Sequence, residues 1–276
     1  MLVDIKNLRI AFETRTSRFE AVRGVSMQLG TEKLGIVGES GSGKSLTARA
    51  LMKLLPSNAK IEADRLAFDG IDILGASERG MRQIRGKRAG FILQDPKYSL
   101  NPVKTVGSQI AESWRTHKKG SRKEAAEAAI ELLDQVMIRD PRKVAGAYPN
   151  EISGGMGQRV MIAMMLAPDP ELLIADDPTS ALDATVQAEI LRLIDDLVSR
   201  RGMGLILISH DLPLVSHFCD RVAVMYSGRV VEELKASELA KAQHPYTKGL
   251  LNCMPSLMHP KERLPVLTRD AAWLNP

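Results

Sequence analysis

Eight consecutive residues have the composition and spacing of a loop that binds phosphate groups. They read Gly38-Glu39-Ser40-Gly41-Ser42-Gly43-Lys44-Ser45, which is G-x-x-x-x-G-K-S. Glycines permit positive φ angles and bring backbone N–H groups close to an anion, and a following helix N-terminus adds positive potential. Lys44 would reach the β- and γ-phosphates, and the Ser45 hydroxyl would bind Mg²⁺. The stretch, with the adjoining Leu46, predicts a site for ATP and Mg²⁺.

The flanking sequence predicts the elements that would position this loop. The apolar run 34–37 is typical of a buried strand, and residues 45–55 carry leucines at helical spacing. A glycine-rich turn with a chance lysine is the alternative. The strand–loop–helix context favours the phosphate loop.

The stretch 171–175, which is apolar after Glu171, predicts a buried strand that ends in Asp176 and Asp177. The Asp176 carboxylate would hold Mg²⁺, through water, because this ion keeps much of its hydration shell. A strand that merely ends in solvent-exposed acids is the alternative. The upstream phosphate loop favours the metal-binding interpretation.

Composition places the chain among soluble globular proteins. Its 276 residues are 44% hydrophobic and 26% charged, enough for a sizeable core. We expect no transmembrane segment and no signal peptide at the N-terminus, since no apolar run approaches about 18 residues. Cys219 and Cys253 lie far apart, which fits a reducing compartment and excludes a cysteine-built zinc or iron–sulfur site. The net charge of +5 permits contact with nucleic acid or an anionic membrane without requiring either.

Periodicity predicts an α/β fold with further parts. Residues 2–29 predict antiparallel strands around a polar hairpin, and strands alternating with helices later in the chain predict a mainly parallel sheet. From about residue 96 to 165 the pattern is helical. A capping box, Ser121 to Glu124, predicts the start of a helix whose apolar stripe is Ala126, Ile130, Leu133 and Met137. We expect an α/β core of 1–95 and 166–235, a helical insertion at 96–165 and a tail at 236–276.

Residues 152–159, Ile-Ser-Gly-Gly-Met-Gly-Gln-Arg, resemble the L-S-G-G-Q signature of ATP-binding-cassette (ABC) ATPases. The resemblance implies a RecA-like, mainly parallel core with an N-terminal antiparallel β subdomain and an inserted helical subdomain. It also implies that two cassettes face each other. Ser153, Gly154, Gly155 and Met156 would then contact the γ-phosphate bound by the opposite subunit.

Other positions match further elements of this family. Gln94 matches the Q-loop glutamine, a contact of Mg²⁺ and of the attacking water. Asp183, in Ser180-Ala181-Leu182-Asp183, matches the D-loop that links the two sites. His210 matches the switch histidine, which contacts the γ-phosphate. Phe12 or Phe19 would stack on the adenine ring, and the sequence does not choose between them.

A narrower resemblance, to the ATPase subunits of oligopeptide and dipeptide importers, rests on Gln94-Asp95-Pro96, Ser99-Leu100-Asn101-Pro102 and His244-Pro245-Tyr246-Thr247. It implies a place on the cytoplasmic face of the plasma membrane. It also implies two membrane permeases and a second, different ATPase chain as partners. A periplasmic or extracellular solute-binding protein would be an indirect partner. The same subfamily serves nickel, opine and antimicrobial-peptide uptake, so the solute stays open.

One residue departs from the family pattern. The position after the Mg²⁺ aspartate is normally glutamate, which polarises the attacking water, and here it is Asp177, shorter by one carbon–carbon bond of about 1.5 Å. We expect a slow site whose partner does most of the turnover. The alternative is that Asp177 was introduced in place of glutamate to trap the ATP-bound state.

The alternative function is an ABC-type ATPase that acts on nucleic acid or ribosomes. Relatives of that kind insert coiled coils or zinc modules into the cassette, or join two cassettes in one chain. This chain has one cassette, with neither heptads nor zinc ligands between the Q-loop and the signature. We therefore expect an importer ATPase with no nucleic-acid partner.

Overall fold

The computed structural model describes residues 1–13, 17–94, 99–180, 182–253, 270 and 273. The chain divides into two compact units. The first comprises Met1–Gly75 and Leu207–Pro276, and the second comprises Ala76–Ile206. The phosphate loop therefore belongs to the first unit, whereas the signature stretch belongs to the second.

The described residues form eleven strands: β1 (Val3–Glu13), β2 (Arg18–Leu29), β3 (Lys33–Val37), β4 (Ala59–Glu62), β5 (Arg65–Phe68), β6 (Ile71–Asp72), β7 (Ala89–Ile92), β8 (Leu172–Asp176), β9 (Gly204–Ser209), β10 (Arg221–Tyr226) and β11 (Arg229–Lys235). They also form nine α-helices: α1 (Lys44–Leu51), α2 (Glu78–Ile84), α3 (Val106–His117), α4 (Arg122–Gln135), α5 (Pro141–Ala145), α6 (Gly154–Leu166), α7 (Ala184–Arg201), α8 (Leu212–Phe218) and α9 (Pro245–Asn252). Short 3₁₀ helices lie at Pro149–Glu151 and Ala236–Lys241.

The first unit contains an antiparallel sheet of strands β2, β1, β5 and β6 in that order, with β4 paired to β1. The hairpin that the sequence predicts between residues 2 and 29 is the β1–β2 pair. Strand β4 was not predicted, because its alternating half-buried and exposed residues carry little apolar signal.

In the same unit, β11, β10, β3 and β9 are neighbours in that order. Strands β3 and β10 are parallel, and β10 and β11 form an antiparallel hairpin. Strand β9 crosses the division between the units. In the second unit, β9 lies beside β8, which pairs in parallel with β7. Every residue of β8 and of β9 is buried, as their uninterrupted apolar runs predict.

The helices of the second unit supply its remaining core. Helix α7 buries Ile190, Leu193 and Leu197 along one stripe. Helix α4 begins with the predicted capping box: the Ser121 hydroxyl accepts from the Glu124 N–H, and the Glu124 carboxylate accepts from the Ser121 N–H.

The predicted apolar stripe of α4 is wrong by one position. The buried residues are Ala125, Ala129, Leu132 and Leu133. Of the predicted stripe, only Leu133 is buried. Ala126 is exposed, and Met137 lies beyond the end of the helix with a φ of 58° and 59% of its surface exposed.

The helix after the phosphate loop is shorter than predicted. It ends at Leu51 rather than continuing to residue 55, because Lys53 adopts a φ of 50° and breaks the helical path. Leu54, expected on the apolar face, is 46% exposed.

Across the described parts of both units, the helices are too short or too polar to cross a bilayer.

Candidate nucleotide site

The backbone of the phosphate loop requires glycine at both ends. Gly38 has a φ of 148°, and a β-carbon there would lie 2.1 Å from the Met225 carbonyl oxygen. Gly43 has a φ of 99°, caps helix α1, and would bring a β-carbon within 3.0 Å of the Ala21 carbonyl oxygen. Any other residue would strain the loop or push it off β2 and β10.

The Lys44 ammonium group lies over the loop's own oxygens. Its Nζ donates to the carbonyl oxygens of Gly38 and Glu39 at 2.7 and 2.8 Å, and it lies 3.4 Å from the Ser42 hydroxyl. The positive charge is therefore held at the loop by contacts that an anionic phosphate can share or replace.

A cavity of 190 Å³ lies beside the loop. It is lined by Glu39, Ser40, Gly41 and Ser42, with Tyr226 at the end of β10 and Ser227 in the turn that follows. The Gly228 N–H of the same turn donates to the Ser42 carbonyl oxygen at 3.0 Å. Loop and turn thus line this cavity with backbone and hydroxyl groups, which can donate to phosphate oxygens.

The predicted magnesium-binding hydroxyl sits in the first turn of α1. Ser45 and Leu46 are half-buried there. The Thr47 hydroxyl donates to the Gly43 carbonyl oxygen at 3.0 Å and Thr47 is buried, which fixes the start of the helix. The helix N-terminus therefore adjoins the loop, as the phosphate-loop interpretation predicts.

His210 also belongs to the first unit. It follows β9, which lies beside β3 in the sheet, and it is exposed. The next residue, Asp211, caps helix α8 by accepting from the Leu214 N–H at 3.0 Å. The histidine thus sits at a fixed junction between a buried strand and a helix.

The two aromatic candidates for adenine stacking are direct partners across the β1–β2 pair. Phe12 pairs with Phe19, so the two side chains share one face of the sheet. Phe12 is half-buried, whereas Phe19 is 59% exposed. The pairing therefore places the two candidates side by side on this face.

The two acidic residues at the end of β8, Asp176 and Asp177, differ in environment. Asp176 ends β8 and is 4% exposed. Asp177 follows with a φ of 48° and is half-buried. The left-handed conformation turns the chain sharply away from the strand, and aspartate tolerates it better than most residues. Sequence reasoning missed this turn, although an acid followed by proline is a weak signal for it.

The signature residues begin a helix. Ser153 is the N-cap of α6, its hydroxyl accepts from the Met156 N–H at 3.3 Å, and it is exposed. A β-carbon on Gly155 would lie 2.9 Å from the Val186 side chain, whereas Gly154 has only ordinary contacts. Gly155 therefore lets α6 pack closely against the start of α7.

The D-loop candidate begins the neighbouring helix. Asp183 is the N-cap of α7, and its Oδ1 accepts from the N–H groups of Thr185 and Val186 at 3.1 Å each. Because Val186 is also the residue that faces Gly155, the structure brings the signature and the D-loop aspartate to adjoining helix N-termini. Ala181, which belongs to the same D-loop stretch as Asp183, lies outside the described residues.

Gln94 lies two residues beyond β7 and is exposed. The residues that follow it, including Asp95 and Pro96 of the importer-type motif, lie outside the described residues. Tyr226 and Ser227 line the cavity and Tyr246 contacts the loop, but no sequence pattern indicates this, because all three are remote from the loop in sequence.

Comparison with known proteins identifies relatives along most of the chain. A family model described as "ABC transporter" matches residues 22–180. The chain is 49% identical to the "Probable peptide ABC transporter ATP-binding protein y4tR" of Sinorhizobium fredii, over 96% of this chain and 80% of that protein. It is 48% identical to the "Oligopeptide transport ATP-binding protein OppD" of Bacillus subtilis, over 93% of this chain and 72% of that protein.

Solved structures share the fold. The ATP-binding cassette MJ0796, solved as a dimer in a post-hydrolysis state with ADP and Pi, has a TM-score of 0.75 at 27% identity and covers 85% of this chain and 99% of its own. The cbiO1 subunit of Clostridium perfringens, described as part of the ABC transporter complex cbiONQ, has a TM-score of 0.74 at 25% identity, covering 87% of this chain and 90% of its own.

Proposed function

The chain belongs to the ABC transporter family, and on that premise we propose that it is the ATP-hydrolysing subunit of an importer for peptides or related small solutes. The observation that carries the proposal is the combination of a glycine-built phosphate loop with relatives named for peptide transport. ATP hydrolysis in this subunit would drive separate membrane permeases between their outward- and inward-facing states.

The first unit would bind the triphosphate. The loop from Gly38 to Gly43 surrounds the phosphates with N–H groups, and Lys44 exchanges its loop carbonyls for phosphate oxygens. Ser45 is the magnesium ligand of this unit, Leu46 belongs to the same helix N-terminus, and Phe12 stacks on the adenine ring. A Lys44 ammonium group already held at the loop supports this assignment, because its positive charge lies on the loop that would surround the phosphates.

The remaining roles follow from the family resemblance and from local structure. Asp176 and Gln94 hold Mg²⁺, which when bound neutralises charge that develops on the phosphates. Asp177 orients and polarises the attacking water, and His210 contacts the γ-phosphate. Asp176 fits a metal ligand because it ends the buried strand β8 and carries the carboxylate oxygens that Mg²⁺ prefers.

Two such subunits would act together. We assign Ser153, Gly154, Gly155 and Met156 to the γ-phosphate of the facing subunit, and Asp183 to communication between the two sites. An exposed serine at the N-terminus of α6 supports this role, because the positive end of a helix dipole favours a nearby anion. The second ATPase would be a different chain of the same family.

The other partners follow from transport. They are two membrane permeases and a solute-binding protein that acts indirectly. The subunit itself would be held peripherally on the cytoplasmic face of the membrane.

We propose the domain organisation expected from the sequence: a nucleotide-binding core at 1–95 and 166–235, a helical part at 96–165 and a tail at 236–276. Both relatives described above are named for peptide transport, which favours transport over an action on nucleic acid or ribosomes.

A deletion strain tests the proposal. Cells that lack this chain should lose growth on oligopeptides as the source of a required amino acid, and the parent sequence should restore it whereas Lys44→Ala should not. Detergent-solubilised complexes purified through a tag on the chain should contain two permeases. Purification with ribosomes or nucleic acid, and without permeases, would overturn the transport assignment.

A further inference from the structure

The His244-Pro245-Tyr246-Thr247 segment of the tail has no part in the function proposed above, yet it is firmly built into the first unit. It begins helix α9, with His244 as the N-cap whose Nδ1 accepts from the Tyr246 N–H at 3.2 Å. Tyr246 and Thr247 are both fully buried. A buried tyrosine hydroxyl needs a hydrogen-bond partner, and the partner of Tyr246 indicates the role of this segment.

The Tyr246 hydroxyl contacts the phosphate loop. It accepts from the backbone N–H of Glu39 at 3.1 Å, across 207 positions of sequence. The carbonyl group of the same residue accepts from Lys44 Nζ. Both backbone polar groups of Glu39 are thus fixed, one by the tail and one by the lysine that we assign to the phosphates.

Aromatic packing places Tyr246 directly behind the cavity. Its ring centroid lies 4.5 Å from that of Tyr226, which lines the 190 Å³ cavity beside Glu39. Trp273, from the end of the chain, contacts both tyrosine rings at centroid distances of 5.6 and 5.7 Å. The tail therefore supports the cavity wall as well as one peptide group of the loop.

We propose that Tyr246 is a positioning residue of the nucleotide site, and that the docked tail and bound ATP stabilise each other. The hydroxyl holds the Glu39 peptide in place, so the loop loses less conformational freedom when it binds phosphate groups. By reciprocity, nucleotide that orders the loop strengthens the docking of residues 244–252. This inference rests on the proposed nucleotide site.

Tyr246→Phe in the full-length chain tests the role of the hydroxyl, because it keeps the ring and removes only the hydroxyl group. The dissociation constant for ATP–Mg²⁺ should rise about threefold to tenfold, the loss expected for one hydrogen bond to a backbone N–H. The maximal hydrolysis rate should stay unchanged, since Tyr246 touches no reacting atom, so the effect appears in KM and not in kcat.

The neighbouring hydroxyl supplies a matched control. Thr247 Oγ1 is buried and has no hydrogen-bond partner in the described part of the chain. Thr247→Val should therefore leave ATP affinity unchanged. An equal loss in both variants would show that disturbing α9 has a general structural effect, and would overturn the specific role of Tyr246.

Hydrogen exchange of the unsubstituted protein tests the coupling without any variant. Saturating ATP–Mg²⁺ should slow amide exchange in residues 244–252, and Tyr246→Phe should reduce that protection. Unchanged exchange in this segment, or unchanged affinity in Tyr246→Phe while Lys44→Ala abolishes binding, would overturn the inference and leave the nucleotide site intact. Equal ATP binding by the parent and Lys44→Ala would instead overturn the site itself.

Discussion

The ammonium group of Lys44 lies 2.7 Å from the carbonyl oxygen of Gly38, the first residue of the loop that ends at the lysine itself. A single cation thus closes the loop on itself, through the carbonyl oxygen of the loop's first residue. The contact gives the lysine a part in the shape of the loop, in addition to the phosphate binding that we propose for it.

Lys44→Ala should abolish detectable binding of ATP–Mg²⁺, because it removes both the charge and the closing contact. Isothermal titration of the purified chain measures this. Lys241→Ala is the matched control, since Lys241 is an exposed lysine of the same unit whose ion pair is with Glu238. Similar ATP affinity in the two variants would contradict the assignment of Lys44.

Gly38→Ala and Gly41→Ala should differ in stability although both positions have positive φ. A β-carbon on Gly38 collides with the Met225 backbone, whereas nothing lies within 4 Å of one on Gly41. We expect a loss of about 3 kcal/mol for Gly38→Ala, from strain plus collision, and about 1 kcal/mol for Gly41→Ala, from strain alone. Urea unfolding measures both, and equal losses would show that the contact with Met225 is unimportant.

Ser153→Asp separates the two roles of the signature serine. Aspartate is as good an N-cap as serine, so helix α6 should keep its stability, but its charge would repel the γ-phosphate of the facing subunit. ATP hydrolysis by the assembled transporter should be lost while the melting temperature of the chain is retained.

The control is Ser153→Ala, which should cost about 1 kcal/mol of stability through the lost cap. If Ser153→Asp hydrolyses ATP at the parent rate, the serine is a structural cap and nothing more.

Asp177→Glu should accelerate hydrolysis. The longer side chain restores the reach that the family pattern has, and a displacement of about 1 Å can change a rate on the order of a hundredfold. Single-turnover hydrolysis beside the parent measures this, with Asp177→Asn as the control that should be slower than both. Equal rates for Asp177→Glu and the parent would refute the slow-site hypothesis.

The outcome of Asp177→Glu also depends on the backbone. Position 177 has a φ of 48°, which aspartate adopts more readily than glutamate. A thermal melt of the variant should accompany the kinetics, so that a loss of folded protein is not mistaken for slow chemistry.

Sequence reasoning succeeded where the signal is local. The loop, β3 and the start of α1 could be predicted from glycines, a lysine and a serine at fixed spacing after an apolar run. The buried strands β8 and β9 could be predicted from their uninterrupted apolar residues. The capping box at Ser121 was also confirmed, because its donors and acceptors lie within one helical turn.

The failures have physical causes. In α4 the alanines at 125, 126, 128 and 129 give overlapping stripes, so the sequence could not show which one faces the core. The early end of α1 depends on the positive φ of Lys53, for which the side chain gives no warning. The contact between Tyr246 and Glu39 joins distant parts of the chain, and no periodicity encodes it.

The most direct test of the account is the position of Ser153 in the assembled transporter trapped with ATP–Mg²⁺. A structure of that assembly should place the Ser153 hydroxyl within about 3 Å of the γ-phosphate held by the phosphate loop of the facing ATPase subunit. A closed, ATP-loaded assembly in which Ser153 and Gly155 lie remote from every triphosphate would contradict it.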